Sequence, residues 1–185
     1  PWLTARPIAH RGLHGADTGA VENSLSAATA AIEGGYAIEV DLQLSADGVP
    51  MVFHDGTLDR MTNADGPLRA RTAEELAAVT LRGTSEAIPT LAELLATVAG
   101  RTPLVLELKT EWQRARDPEL PRRTAEALAG YAGPVALMSF DPDMVAASRG
   151  LMPDRPHGIV ARDSSNVRDF PRLSVMERFA LTHLL

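Results

Sequence analysis

The chain has 185 residues, 45% of them apolar, which suffices for one domain with a substantial core. With 18 basic and 24 acidic residues its formal charge is -6, and no basic run stands out, so nucleic acid is not an expected partner. There are no cysteines, which excludes thiol catalysis, disulfides and cysteine–zinc sites.

The first apolar run, "RPIAH", breaks off at His10. "NSLSAATAAIEGG" follows as a helix with Asn23 or Ser24 as N-cap and Gly34–Gly35 as its stop. "YAIEVDLQL" (36–44) and "VPMVFH" (49–54) read as strands around an "ADG" turn. Residues 55–88 are polar and weakly patterned, with a Thr72–Glu75 capping box for one short helix. "PTLAELLATVAG" is a helix with a second capping box, Thr90–Glu93, and Gly100 as its stop. "TPLVLELK" (102–109) is a strand, 117–129 is helical with Pro121 near its start, and "GPVALMSF" (133–140) is a strand. Asp141 and Pro142 open the next helix as N-cap and N1. "HGIVA" (157–161) is a sixth strand, and a helix begins at Ser174, with Glu177 completing a third capping box.

Alternating strands and helices predict an α/β fold: a parallel sheet covered by helices. The glycine patterns of phosphate loops and dinucleotide folds are absent. No repeat or low-complexity tract is visible. No apolar stretch approaches the roughly 18 residues of a membrane span. No signal peptide is visible, and the expected compartment is the cytoplasm, although the chain begins at Pro1 and not at methionine.

Residues i and i+2 of a strand point the same way, so Glu39 and Asp41 share one face while Ile38, Val40 and Leu42 share the other. Glu107 and Lys109 repeat this arrangement beside Leu106 and Leu108, and His10 and His54 end apolar runs. For one such residue, a strand end entering water is explanation enough. Four strands ending in polar residues instead point to one site, because a barrel gathers the C-terminal ends of its strands at one mouth. The residue types set the chemistry there. Glu39, Asp41 and Glu107 supply hard oxygen ligands that favour Mg²⁺ or Ca²⁺. His10 and His54 suit proton transfer near neutral pH. Arg11 and Lys109 suit an anion. Together these describe phosphoryl transfer.

The stretches "AHRG" (9–12), "EN" (22–23), "IEVDLQLSADGVPMVFHD" (38–55), "LDRMTNADG" (58–66), "IPTLAELL" (88–95), "LELK" (106–109) and "SFD" (139–141) resemble, in order and spacing, the glycerophosphodiester phosphodiesterase family. The resemblance covers about residues 8–141. It implies a TIM (β/α)8 barrel with a small insertion at about 55–88. It also implies hydrolysis of a glycerophosphodiester to an alcohol and glycerol 3-phosphate. By position, His10 and His54 match the family's catalytic histidines, Glu39, Asp41 and Glu107 its divalent-metal ligands, and Arg11 and Lys109 its phosphate contacts. Glu22 matches an acidic position expected to orient Arg11 or to lie near the metal. The nucleophile implied is the glycerol 2-hydroxyl, through a cyclic phosphate.

Other residues carry plainer expectations. His14 reads as an exposed loop residue, and His157 and His183 as structural. Ser139 is a weak candidate for substrate contact at the mouth, the six methionines are fillers, and Trp2 and Trp112 pack. An eight-stranded barrel needs at least about 200 residues, so the closing C-terminal strands are expected to be missing from these 185, all of which belong to one domain. Two alternatives stand: a phospholipase D-like hydrolase of lysophospholipids or sphingolipids, and a non-catalytic phosphate- or metal-binding barrel.

Overall fold

The structure is a computed structural model that describes residues 2–110 and 119–161. Its six strands are β1 (Ile8–Ala9), β2 (Ala37–Leu44), β3 (Pro50–Val52), β4 (Leu104–Leu108), β5 (Val135–Ser139) and β6 (His157–Ile159). Five run parallel in the order β1-β2-β4-β5-β6, the consecutive wall of a (β/α) barrel. β3 stands off this path, antiparallel to the end of β2, with Leu42 opposite Val52. All six expected strands form, and β3 is the one exception to the expected parallel sheet. A parallel neighbour needs a crossover of about a dozen residues or more, and the 45–49 connection is a hairpin turn.

The helices are α1 (Leu25–Glu33), α2 (Ala73–Ala77), α3 (Leu91–Val98), α4 (Glu119–Ala127) and α5 (Pro142–Leu151). Ser24, not Asn23, caps α1: its hydroxyl accepts from the Ala27 amide. Both expected capping boxes form, on α2 and α3, and Asp141 caps α5 with Pro142 in the first turn. α3 ends one residue before its expected glycine, because Ala99 itself turns left-handed at φ 48°. Pro121 sits in the first turn of α4, where its missing N–H breaks no helical bond. The helix expected from Ser174, with Glu177 and Met176, lies outside the described residues, as do Trp112 and His183.

Strand parity separates two surfaces. Ile38, Val40, Leu42, Leu104, Leu106, Leu108, Val135 and Leu137 face outward and pack under α1 and α3, against Ala28, Ala31, Leu91, Leu94 and Val98. Each large aliphatic side chain buried there contributes roughly 1.5–3 kcal/mol. The alternate residues point inward. Glu39, Asp41, Gln43 and Glu107 are all buried although polar, which is costly unless each finds a partner.

The 55–88 stretch builds its own small core from Leu58, Leu68, Leu76, Leu81 and Ile88, on Met51 of β3 and Phe53 just after it. Its weak patterning reflects α2, a 3₁₀ turn and isolated bridges in place of long elements. Glu86 ties this lobe to the barrel: its carboxylate accepts from the backbone N–H of Ser26 at 3.0 Å and from the Ser26 hydroxyl at 2.5 Å. It thereby satisfies an amide in the first turn of α1 that has no helical partner.

Candidate active site

β1 ends at Ala9, and the chain then turns sharply. Arg11 (φ 57°) and Gly12 (φ 80°) are consecutive left-handed residues. A Cβ on Gly12 would lie 2.7 Å from the Cβ of Ala27, so α1 packs against a position only glycine fills. The turn sends the Arg11 backbone N–H inward, where it donates to Glu39 Oε2 at 2.9 Å.

Glu39 and Asp41 lie two apart on β2, and Glu107 is the register partner of Asp41 on β4. Parity and register bring the three carboxylates together: one oxygen from each lies within 4.8 Å of the others, and all three residues are buried. Two cations close on them. Lys109 Nζ lies 2.7 Å from Glu107 Oε1 and 2.9 Å from Asp41 Oδ1, and Arg11 Nε lies 3.4 Å from Asp41 Oδ2. Asn23, at φ 59°, donates from Nδ2 to Asp41 Oδ2 and accepts the Asp41 backbone N–H.

This neutralisation is incomplete. Arg11 is shared with Glu22, whose Oε1 accepts from Arg11 Nη1 at 2.9 Å. Burial, reinforced by the Asp41 charge, pushes the Glu39 carboxyl up to about 7. Glu39 Oε1 is buried with no hydrogen-bond partner. A buried set of three hard oxygen donors with an orphaned lone pair fits a divalent cation of the Mg²⁺ or Ca²⁺ kind.

His10 stands at the rim, its side chain 70% exposed and its Nε2 3.9 Å from Glu39 Oε2. Partial desolvation and the Arg11 charge hold its imidazole below the usual histidine value, against the pull of Asp41. His54 follows β3, with its Nδ1 2.7 Å from Asp55 Oδ1. Gln43, on the same strand face as Asp41, donates from Nε2 to the carbonyls of Phe53 and Asp55 and so pins the backbone on both sides of His54. Arg60, from the lobe, donates to both Asp55 and Glu22.

The structure thus assembles His10, Arg11, Glu22, Glu39, Asp41, Glu107 and Lys109, with His54 at the end of β3. Asn23, Gln43, Asp55 and Arg60 are further members that the sequence reading passed over. Gln43 had a signal, as the next alternate residue after Asp41 in "EVDLQ"; Arg60 lies inside the stretch "LDRMTNADG", but nothing local points it at Glu22, 38 residues away in the chain. The candidacy of Ser139 is corrected. Its buried hydroxyl donates to the Leu108 carbonyl and accepts the Asp141 N–H, so it closes a strand end. His14 is exposed and His157 half-buried, and Trp2 is half-buried in a 3₁₀ turn. Met51, Met144 and Met152 fill core positions.

Comparison with known proteins places this geometry in a family. The Glycerophosphoryl diester phosphodiesterase family matches residues 10–175. Glycerophosphodiester phosphodiesterase 1 of Bos taurus is 40% identical over 98 residues, covering 48% of this chain and 29% of its own. The glycerophosphodiester phosphodiesterase of Caldanaerobacter subterraneus subsp. tengcongensis is 38% identical over 112 residues, covering 56% of this chain and 44% of its own. The chain therefore spans less than half the length of these two relatives. Among solved structures, an Oleispira antarctica phosphodiesterase in complex with the product sn-glycerol-3-phosphate superposes with TM-score 0.76 at 29% identity, over 89% of this chain and 70% of that one. The glycerophosphodiester phosphodiesterase of Agrobacterium tumefaciens gives TM-score 0.70 at 28% identity, over 82% of this chain and 65% of that one. With nearly its whole length matched by the family, the chain belongs to the glycerophosphoryl diester phosphodiesterases.

Proposed function

We propose that this protein hydrolyses glycerophosphodiesters to an alcohol and glycerol 3-phosphate, with a divalent cation and two histidines. The observation that carries the reading is the buried Glu39–Asp41–Glu107 cluster, flanked by Arg11 and Lys109 and rimmed by His10. The glycerol 3-phosphate bound as product in the Oleispira antarctica relative supports the substrate class.

Glu39, Asp41 and Glu107 would hold the cation, with Mg²⁺ or Ca²⁺ both suited to the donor set. Bound there, a divalent ion supplies positive charge against the non-bridging phosphate oxygens. Arg11 and Lys109 contact the phosphate, Arg11 with a fork that matches two oxygens at once. One histidine takes the proton of the glycerol 2-hydroxyl as its oxygen bonds to phosphorus, and the other protonates the departing alcohol. Water then opens the cyclic phosphate. With Nδ1 bonded to Asp55, His54 exchanges its proton through Nε2. Glu22 holds Arg11 from behind. The substrate is a small molecule. Among the described residues no helix is long and apolar enough to cross a membrane. The cytoplasm is the compartment that goes with this reading, on the cysteine-free composition.

The test is release of glycerol 3-phosphate from glycerophosphocholine, in parallel with a lysophospholipid, in EDTA and after return of Mg²⁺ or Ca²⁺. Cation-dependent hydrolysis of the glycerophosphodiester is expected. Activity indifferent to chelation removes the metal assignment, and preference for the lysophospholipid replaces the substrate.

A further inference from the structure

Two carboxylates that take no part in the chemistry above sit directly behind two residues that do. Asp55 Oδ1 lies 2.7 Å from His54 Nδ1, and Glu22 Oε1 accepts from Arg11 Nη1 at 2.9 Å. One side chain of the lobe joins these carboxylates. Arg60 donates from Nε to Asp55 Oδ2 at 2.5 Å and from Nη2 to Asp55 Oδ1 at 3.0 Å. It donates from Nη2 to Glu22 Oε1 at 2.6 Å and from Nη1 to Glu22 Oε2 at 3.2 Å. Every nitrogen of the guanidinium is used, and each carboxylate is held through both oxygens.

We propose that Arg60 is a positioning residue, which locks Asp55 and Glu22 to one rigid fork and so sets His54 and Arg11 at a fixed separation across the site. The proposal rests on the functional reading above, which gives His54 and Arg11 their parts.

An ordinary surface ion pair does little, because water screens it and two flexible chains must be ordered to make it. This one differs in three respects. The Glu22 and Asp55 side chains are only 13% and 22% exposed. The contacts are paired and planar, the geometry that a guanidinium offers and an ammonium does not. Each carboxylate also spends a further contact on a site residue. Burial alone would raise both carboxyls, but the Arg60 hydrogen bonds and the neighbouring positive charges bring both below the ordinary carboxylate range. Both are therefore anions at neutral pH, and Arg60 is the cation between them. Without it, Asp55 loses the contact that keeps its carboxylate turned toward His54 Nδ1, and two like charges are left facing one another. Glu22 is then free to follow Arg11 wherever the guanidinium moves.

The test uses the full chain with Arg60→Met, Arg60→Lys, Asp55→Asn and the Arg60→Met/Asp55→Asn double variant. Hydrolysis of glycerophosphocholine in saturating Mg²⁺ is measured together with the imidazole NMR spectrum of His54 in the absence of substrate. Both Arg60 variants are expected to fold and to lose roughly 10–100-fold in kcat, the scale of a small misplacement of a reacting group. The double variant is expected to lose clearly less than the product of its two single losses, because the part of Arg60 that acts on His54 runs through Asp55. A His54 Nδ1–H resonance is expected to be sharp and downfield in the parent and to broaden by exchange with water in both Arg60 variants. A kcat within twofold of the parent and an unchanged resonance overturn the proposal, as does an additive loss in the double variant. If Arg60→Met does not fold, Arg60→Lys decides, since it keeps the charge and loses the fork. A parent protein that hydrolyses no glycerophosphodiester refutes the functional reading instead, and the NMR arm still reports whether Arg60 holds Asp55 on His54.

Discussion

Asn23 and Asp41 exchange two hydrogen bonds: Asn23 Nδ2 donates to Asp41 Oδ2 at 2.9 Å, and the Asp41 backbone N–H donates to Asn23 Oδ1 at 3.2 Å. Asn23 reaches this position because its backbone is left-handed, at φ 59°, a conformation asparagine tolerates. The pair orients the most buried carboxylate of the cluster from outside the ligand set.

Removing that support tests the metal site without touching a ligand. Asn23→Gly keeps the left-handed backbone and deletes the amide. Loss of such an outer contact weakens metal affinity by roughly 10–100-fold, so titration calorimetry with Mg²⁺ and Ca²⁺ should show that drop. An unchanged affinity would mean that Asp41 needs no help to face the cation.

Glu39 makes cation-free stability depend on pH. Its carboxyl, near 4.5 when unfolded, stands at about 7 in the folded protein. The folded state therefore holds the proton more tightly, and the contribution is complete below the unfolded value. It is lost as pH rises through the window from about 4.5 to 7, to a total of about 3 kcal/mol. In EDTA the protein should melt lower at pH 8 than at pH 5. Glu39→Gln, neutral throughout, should flatten the decline, and Mg²⁺ or Ca²⁺ should restore stability at the alkaline end. A Glu39→Gln protein with the parent's pH slope would show that other groups set it.

His10 and His54 should both matter to turnover far more than to folding. General acid–base help is worth roughly 10²–10⁴-fold, and His10→Ala or His54→Ala should each lose that much while the circular dichroism spectrum stays the same. The rim position of His10 makes its removal harmless to the core. Near-parental activity in either variant would reassign the proton transfers.

Gly12→Ala should destabilise the fold. The substitution meets a left-handed backbone at φ 80° and the Ala27 side chain at 2.7 Å. Backbone strain of this kind costs on the order of 1–3 kcal/mol, and the collision with α1 adds to it. Urea denaturation measures the loss; a midpoint that does not move would show that α1 yields easily.

Much of this site could be read along the chain. Strand parity put Glu39 and Asp41 on one face and Ile38, Val40 and Leu42 on the other, because alternation is a property of the strand itself. The capping boxes at Thr72–Glu75 and Thr90–Glu93 were equally legible, since both partners lie within one turn. The two strands around the "ADG" turn are equally legible, and the shortness of the 45–49 turn makes β3 the antiparallel exception to the parallel sheet. Ser139 ends its strand, but it has the outward parity of Val135 and Leu137, and the Leu108 carbonyl of the neighbouring strand takes its hydroxyl, a contact no local pattern shows.

By itself, the sequence determined the periods, the caps and the residue types that end each strand, all of which depend on neighbours close in the chain. Only the tertiary structure decided how those residues are paired. Glu107 meets Asp41 through strand register, Asn23 reaches Asp41 across a left-handed turn, and Arg60 meets Glu22 because the 55–88 lobe docks beside α1. Such charges are stabilised or left needing a cation by contacts between distant segments, and no local pattern encodes which segments will touch.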